Sequence, residues 1–426
     1  MSTRRDFLRA TGLAGAGALI GHLTGGCGCP GGTASQMTGC GAATFEVTPT
    51  SALVSVHASG YERALIRVEG GDAPIEVPVP LSTAELHTRA VDIVGLEPDR
   101  EYTYTVSVRG GEFGPYWLRT APLPESETPL RFLFTADIAT DEGCSIFDTM
   151  AATGADFWLS LGDFPYADAG SDALTIRDYR AEHRNARLAS GAQTLLSALP
   201  AYAIYDDHEV RNDWDAEMRT NEPDRVAAAL AAWDEWFPLR TPGEQRYRSW
   251  RWGRLAEFFM LDCRRFRSAN SAPDGEAKTM LGAAQRQWLL DGLAASSAVF
   301  KFVVTTVPLD FGNTGDDSWR GFRRERDDIL RAVIETPVPN TVFLTGDQHW
   351  FAAHHLAGGI REYQAGPASA FVRQPDPARP EEVFRHAGHN FAEVTVHGGH
   401  EPSFTIRALG PLGEEIYRET LAASRS

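Results

Sequence analysis

Four short apolar runs in this chain each lead into an aspartate: RFLFTA into Asp137, DFWLSLG into Asp163, AYAIYD into Asp207 and TVFLTG into Asp347. Each is rich in β-branched and aromatic residues and is followed by Gly, Pro or polar residues, which is how a buried strand reads. The C-terminal ends of such strands are where α/β sheets carry their sites. Taken singly, each aspartate is equally well explained as a turn former or a helix N-cap. Four together, two of them in the pairs Gly162-Asp163 and Gly346-Asp347, imply one anionic crevice. Close carboxylates repel one another unless cations lie among them, so the pattern points to a polynuclear metal site of hard oxygen ligands. The neighbours add donors: Tyr166 and Asp168 follow Asp163, Asp206, His208 and Glu209 flank Asp207, and His349 follows Asp347.

These residues carry a resemblance. Asp137-Ile138-Ala139, Gly162-Asp163-Phe164-Pro165-Tyr166, Asp206-Asp207-His208-Glu209 and Gly346-Asp347-Gln348-His349 resemble, in order, the motifs of the alkaline phosphatase D branch of the calcineurin-like metallophosphatases. Leu261-Asp262-Cys263-Arg264, the run from Leu281 to Leu289, and Ser318-Trp319-Arg320-Gly321-Phe322 resemble further motifs of that branch. The likeness spans roughly residues 44 to 417. It implies an α+β chain: an N-terminal β-sandwich, then a four-layer α/β/β/α domain with two packed mixed sheets. It also implies a metal-dependent hydrolase of phosphomonoesters, phosphodiesters or both. Metals in such a site cancel charge on the phosphoryl oxygens, convert water to hydroxide near neutral pH, and fix the geometry of attack.

The resemblance assigns the bridging carboxylate to Asp163. It gives the first metal Asp137, Asp163, Tyr166 and His349, and the second Asp163, Asp207 and Asp347. Ala139 stands where many relatives carry His, and Tyr166 makes the first site resemble that of purple acid phosphatases, which hold Fe(III). A phenolate is a hard, strongly donating ligand that suits ferric iron. The strand Lys301–Thr306 reaches Val307-Pro308 with no imidazole, so the second site is lined by oxygen and suits Ca²⁺, Mg²⁺ or Mn²⁺. Asp206 and Asp168 leave room for a third cation and hence a trinuclear centre.

His208 directly follows a metal ligand, so it is the candidate for substrate contact or for protonating the leaving oxygen; the alternative is a structural histidine bonded to a carboxylate. Glu209 is placed to orient His208 or to cap the next helix. Phosphate recognition suits guanidinium, and among Arg180, Arg184, Arg187, Arg211, Arg264 and Arg320 the nearest to the motif is Arg211. His354, His355 and Trp350 read as structural.

The N-terminus reads as an address. Thr3-Arg4-Arg5-Asp6-Phe7-Leu8-Arg9 matches the twin-arginine export pattern, and a Gly/Ala-rich stretch leads to Cys27, which stands where a lipidated cysteine tethers a protein to a membrane. Residues 1–42 are therefore read as signal segment and flexible tether. Residues 43–122 alternate in the strand manner, as in Ala64–Val68 and Tyr102–Val108, and resemble a fibronectin type III sandwich. Residues 130–417 are read as the catalytic domain, with helices over about 173–198, 222–237, 283–295 and 324–335, a polar Pro-rich loop over 373–390, and strands near 391–396 and 403–407. The five cysteines permit Cys29–Cys40 and Cys144–Cys263 pairing or buried free thiols. A formal charge of -17 with no basic tract gives no nucleic-acid-binding surface. Two function classes result: an exported phosphoesterase, or a non-catalytic metal-binding lipoprotein with a degenerate phosphatase domain.

Overall fold

The structure is a computed structural model that describes residues 37–139, 144–170, 172–241, 243, 245–309, 317–336, 338–375 and 377–424. Seven strands open the chain: β1 (Cys40–Phe45), β2 (Ser51–Ala58), β3 (Arg63–Glu69), β4 (Ile75–Pro80), β5 (Thr88–Val94), β6 (Glu101–Val108) and β7 (Gly111–Arg119). The rest of the chain supplies β8 (Leu130–Thr135), β9 (Phe157–Ser160), β10 (Ala201–Ala203), β11 (Arg248–Trp252), β12 (Ala256–Met260), β13 (Phe300–Val304), β14 (Thr341–Thr345), β15 (Phe351–His355), β16 (Arg361–Gln364), β17 (Glu382–His386), β18 (Phe391–His397), β19 (Ser403–Leu409) and β20 (Glu415–Ala422). The helices are α1 (Cys144–Ala152), α2 (Ile176–Leu188), α3 (Ser190–Ala198), α4 (Ala216–Asn221), α5 (Pro223–Trp236), α6 (Gly282–Ala295) and α7 (Arg323–Glu335).

Three sheets form. One has the order β20-β19-β18-β8-β9-β10-β1-β2-β5, the second β11-β12-β13-β14-β16-β15-β17, and the third β4-β3-β6-β7. Both large sheets are mixed, with β8, β9 and β10 parallel in one and β12, β13, β14 and β16 parallel in the other. Their facing surfaces meet through phenylalanines: Phe132 lies 5.0 Å from Phe258 and 5.1 Å from Phe302, and Phe157 lies 5.5 Å from Phe258. Alternate residues of the same strands point away. Phe258, Phe302 and Leu344 join the core between the sheets, whereas Phe259, Val303 and Phe343 pack with Leu289 and Leu293 of α6 and Ile329 and Val333 of α7. Burial on both faces explains why these strands read as continuous apolar runs rather than alternating ones.

The first sandwich is not free-standing. Its β1, β2 and β5 face the third sheet over a core that includes Val54, Ile66, Tyr104 and Leu118. Yet β1 also pairs parallel to β10, Phe45 opposite Ala201, so one face of the sandwich is an extension of the large sheet. The buried Glu46 accepts from Arg248 at 2.6 Å, tying this junction to the second sheet.

Three sequence expectations change. The tether does not run to residue 42, because Cys40–Phe45 is a buried strand, ended by Glu46 at φ 47°. The helix expected over 173–198 is two helices, because Ala189 is extended (ψ 139°) between α2 and α3. The loop expected over 373–390 contains β17, an edge strand alternating between half-buried and exposed positions, which leaves no apolar signal. Cys263 is a buried free thiol 3.2 Å from the Thr305 hydroxyl, and Cys40 is also free; Cys27 and Cys29 lie outside the described residues. Among the described residues no helix is long and apolar enough to cross a membrane.

Candidate metal centre

The C-terminal ends of both large sheets converge. The adjacent parallel strands β8, β9 and β10 lead to Asp137, Asp163 and Asp207, and β14 of the other sheet leads to Asp347. The chain turns sharply there: Asp137 (φ 58°), Asp163 (58°), Asp347 (74°) and His349 (63°) are all left-handed, a costly conformation for side chains other than Gly and one that gathers at functional sites. Backbone bonds hold the turns together, Ile138 N donating to Asp163 O at 2.9 Å and Ala370 N to Asp137 O at 3.0 Å. Two glycines permit the close approach. A Cβ on Gly162 (φ +99°) would meet Asp206 Cβ at 2.5 Å, and one on Gly366 (φ +121°) would meet Asp137 Oδ2 at 2.5 Å.

Among the described residues four overlapping groups result, each with its donor atoms within 4.8 Å of one another: Asp137, Asp163 and His349; Asp163, Asp207 and His208; Asp206, Asp207 and Asp347; and Asp207, Asp213 and Asp317. Asp163 links the first two, and Asp207 belongs to the other three. The Tyr166 hydroxyl stands 3.2 Å from His349 Nε2. His349 Nδ1 lies 2.5 Å from the Phe371 carbonyl oxygen, which can only accept. Nδ1 therefore carries a proton, and Nε2 faces the centre, 3.7 Å from Asp137.

Both carboxylate oxygens of Asp137 and Oδ2 of Asp163 are buried with no hydrogen-bond partner among the described residues. Buried oxygens left without a donor are rare and costly, and a cation is what such a set fits. The protein's own groups say the same. Burial, then Asp207 and Asp137, push the Asp163 carboxyl well above the usual carboxylate range. Burial, then Asp206 and Asp317, do so for Asp347. Burial and Asp163 raise the Tyr166 phenol well above its ordinary value, so a phenolate there requires a nearby positive charge.

His208 sits where its charge can be held. Burial disfavours the imidazolium, but Asp207 and a 2.7 Å contact from Nδ1 to Asp168 outweigh it and raise the pKa to about 9. Asp168 is itself fixed by Asn212 N at 2.8 Å. The partner that orients His208 is thus Asp168. Glu209 does not serve that purpose: its carboxylate accepts from Phe164 N at 2.8 Å and Asp206 N at 3.0 Å, pinning two strand-end loops together. Arg211 turns away to Glu222 at 2.9 Å and is 42% exposed in its side chain.

The guanidinium that does reach the cluster is Arg264. It is fully buried, donates to Asp206 from Nε and Nη2 at 2.8 Å each, reaches Asp317 at 2.6 and 2.7 Å, and lies 3.6 Å from Asp207. Burial works against ionised Asp207, but Arg264 and His208 more than offset it and hold its carboxyl below the usual range. Asp206 is therefore already met by Arg264 and by the Thr306 hydroxyl at 2.5 Å, and Asp168 by His208. Each of the two carboxylates expected near a third cation thus already has a partner in the protein, while Asp206 stays within reach of Asp207 and Asp347. The other motif residues brace this pair: Asp262 accepts from Tyr205, Arg264 N and Arg265 N, and Gln285 bonds both Asp262 N and Asp262 O. Arg264 stood in the list of arginines near motifs; what sequence lacked was any sign of its partner Asp317, 53 residues away.

Residues 135–378 match the family model of PhoD-like phosphatases, a stretch that includes all four strand-end aspartates, Tyr166, His208 and His349. Alkaline phosphatase D of Bacillus subtilis (strain 168) is 28% identical over 320 residues, covering 63% of this chain and 55% of that protein. The chain thus aligns with little more than half the length of that relative. Among solved structures, that of PhoD superposes with a TM-score of 0.79 at 20% identity, over 90% of this chain and 88% of that one. The purple acid phosphatase PPD1 from yellow lupin (Lupinus luteus) seeds superposes with a TM-score of 0.65 at 13% identity, over 89% and 74%. At these identities the two structures show a shared fold of packed mixed sheets.

Proposed function

Because the chain belongs to the PhoD-like phosphatase family, we propose that it is a metal-dependent phosphoesterase acting on phosphomonoesters, phosphodiesters or both. The observation that carries this reading is the set of orphaned oxygens on Asp137 and Asp163, which face one another alongside Tyr166 and His349. The residues that would hold a first ion are Asp137, Asp163, Tyr166 and His349; those for a second are Asp163, Asp207 and Asp347. Bound metal ions supply charge neutralisation and a water made acidic enough to attack near neutral pH. The chain's own contribution is to hold Asp137, Asp163 and Asp347 in left-handed turns, and to keep a proton on His208. Asp168 fixes one ring nitrogen of His208, and the other is the one to donate to the ester oxygen as it leaves. Glu209 contributes by holding two strand-end loops together, and Arg211, paired to Glu222, is turned away from the centre.

A phenolate donor from Tyr166 favours Fe(III) in the first position, and the all-carboxylate second position favours Ca²⁺, Mg²⁺ or Mn²⁺. A visible tyrosinate-to-iron absorption that Tyr166→Phe abolishes is expected; a colourless, iron-free and fully active enzyme contradicts the assignment. Arg4-Arg5 supports export by the twin-arginine route, with tethering through Cys27 as a second proposal. Replacing both arginines by lysine traps the precursor in the cytoplasm if this is right, and Cys27→Ala releases the mature protein from membranes. The complete donor set speaks against a degenerate, merely metal-binding lipoprotein.

The test is His208→Ala. Metal content stays, and turnover falls by about 10²–10⁴-fold, less for esters with acidic leaving groups such as nitrophenyl phosphates. An equal loss across a graded series of leaving groups rules His208 out as the acid, and loss of metal makes it a ligand.

A further inference from the structure

We propose that Phe371 and Arg373 form a substrate subsite at the rim of the metal centre. Arg373 would hold a phosphoryl oxygen and Phe371 the aromatic or apolar alcohol of the ester; the inference rests on the phosphoesterase reading above. The segment that carries them is bonded into the site along its length. Ala368 N donates to Ala136 O at 3.0 Å, Ser369 N and Ala370 N donate to Asp137 O at 3.3 and 3.0 Å, and Arg373 N donates to His349 O at 3.2 Å. The Phe371 carbonyl fixes the tautomer of His349. Backbone anchored to two candidate ligands cannot carry its side chains far from them.

Those side chains are unusual for their place. The Phe371 ring lies 4.2 Å from the His349 ring, yet the residue is 57% exposed. An exposed aromatic against a candidate metal ligand is apolar surface that the described residues do not cover. The Arg373 guanidinium lies 5.2 Å from the Phe371 ring centroid, and among the described residues no carboxylate pairs with it. In a chain of net charge -17, beside a carboxylate cluster, that is a conspicuous omission. A guanidinium held by a ring rather than by a carboxylate keeps its in-plane N–H donors for an anion, and its fork matches phosphoryl oxygens. The pairing of a free anion-binding fork with bare aromatic surface, both tethered to the ligand loops, fits one end of a phosphate ester whose alcohol is apolar.

The test uses the metal-loaded full-length protein and the variants Arg373→Ala, Arg373→Lys and Phe371→Ala. Metal content, the calorimetric Kd of inorganic phosphate, and KM for phenyl phosphate and glycerol phosphate are measured on the same samples. Arg373→Ala is expected to weaken inorganic phosphate by about tenfold to a hundredfold, the size of a charge-assisted contact, with metal content unchanged and Arg373→Lys recovering part. Phe371→Ala is expected to raise KM for phenyl phosphate about fivefold more than for glycerol phosphate. Unchanged phosphate affinity in Arg373→Ala, equal KM changes for the two esters in Phe371→Ala, or loss of metal in either variant overturns the subsite. A wild-type protein that binds phosphate through Arg373 but cleaves no ester would sink the phosphoesterase reading and spare the subsite. Turnover with phosphate affinity indifferent to Arg373 does the reverse.

Discussion

Replacing Arg264 by Met removes the cation at the centre of a buried carboxylate cluster while keeping the volume apolar. The guanidinium makes four contacts of 2.6–2.8 Å, two to Asp206 and two to Asp317. The two carboxylates do not suffer equally. Asp317 keeps Arg267 at 2.6 Å and Asn270 at 2.9 Å. Asp206, 1% exposed, keeps the Thr306 hydroxyl and loses its ion pair. Removing one partner of a buried pair costs about 3–5 kcal/mol, mostly the cost of the stranded charge. If Asp206 is that charge, Asp206→Asn should return part of the loss: the double variant should lie about 1–3 kcal/mol above the sum of the single effects. Urea unfolding of chelator-treated wild type, the two single variants and the double variant measures the cycle. A single-variant loss below about 1 kcal/mol, or additive effects with no coupling, refutes the view that Arg264 compensates Asp206.

Gly366→Ala should strip metal without unfolding the chain, because the new methyl would stand 2.5 Å from Asp137 Oδ2 at a φ of +121°; full metal occupancy in a folded variant contradicts this. His57, buried between Thr88 and Ser59 and beside Trp236, has its pKa lowered to about 4 by burial, then by Arg184 and His87. The unfolded chain binds that proton near 6.5 and the folded chain only near 4, so the contribution is whole above pH 6.5 and is lost as pH falls toward 4. His57→Gln should flatten the acid limb of stability by up to about 1.4 kcal/mol per pH unit in that window; an unchanged slope in urea titrations at pH 6 and pH 5 rejects it.

What sequence made legible follows from period and position. The parallel strands are buried on both faces, so they read as apolar runs, and their ends mark the turns where Asp137, Asp163, Asp207 and Asp347 sit. The residues just beyond, Tyr166, His208 and His349, were visible for the same reason. Long-range pairings were not. Nothing local in the sequence says that β1 joins β10, that Asp317 meets Arg264, or that Asp168 rather than the nearer Glu209 holds His208. Glu209 is one residue from His208 along the chain, but its side chain points back to the amides of Phe164 and Asp206. The edge strand β17 escaped because neither of its faces is fully buried. Arg373 escaped because it is 24 positions beyond the His349 motif and returns to it only through the turn after β16.

The most direct measurement is elemental analysis and phosphate-ester turnover on the same preparations of wild type and Asp163→Asn. Asp163 is shared by two of the donor groups and has a buried oxygen with no partner among the described residues, so the account predicts that this single exchange of oxygen for amide removes bound metal and turnover together, with the fold intact by circular dichroism. Full turnover in metal-free wild-type protein, or an Asp163→Asn variant that keeps both its metal and its activity, contradicts it.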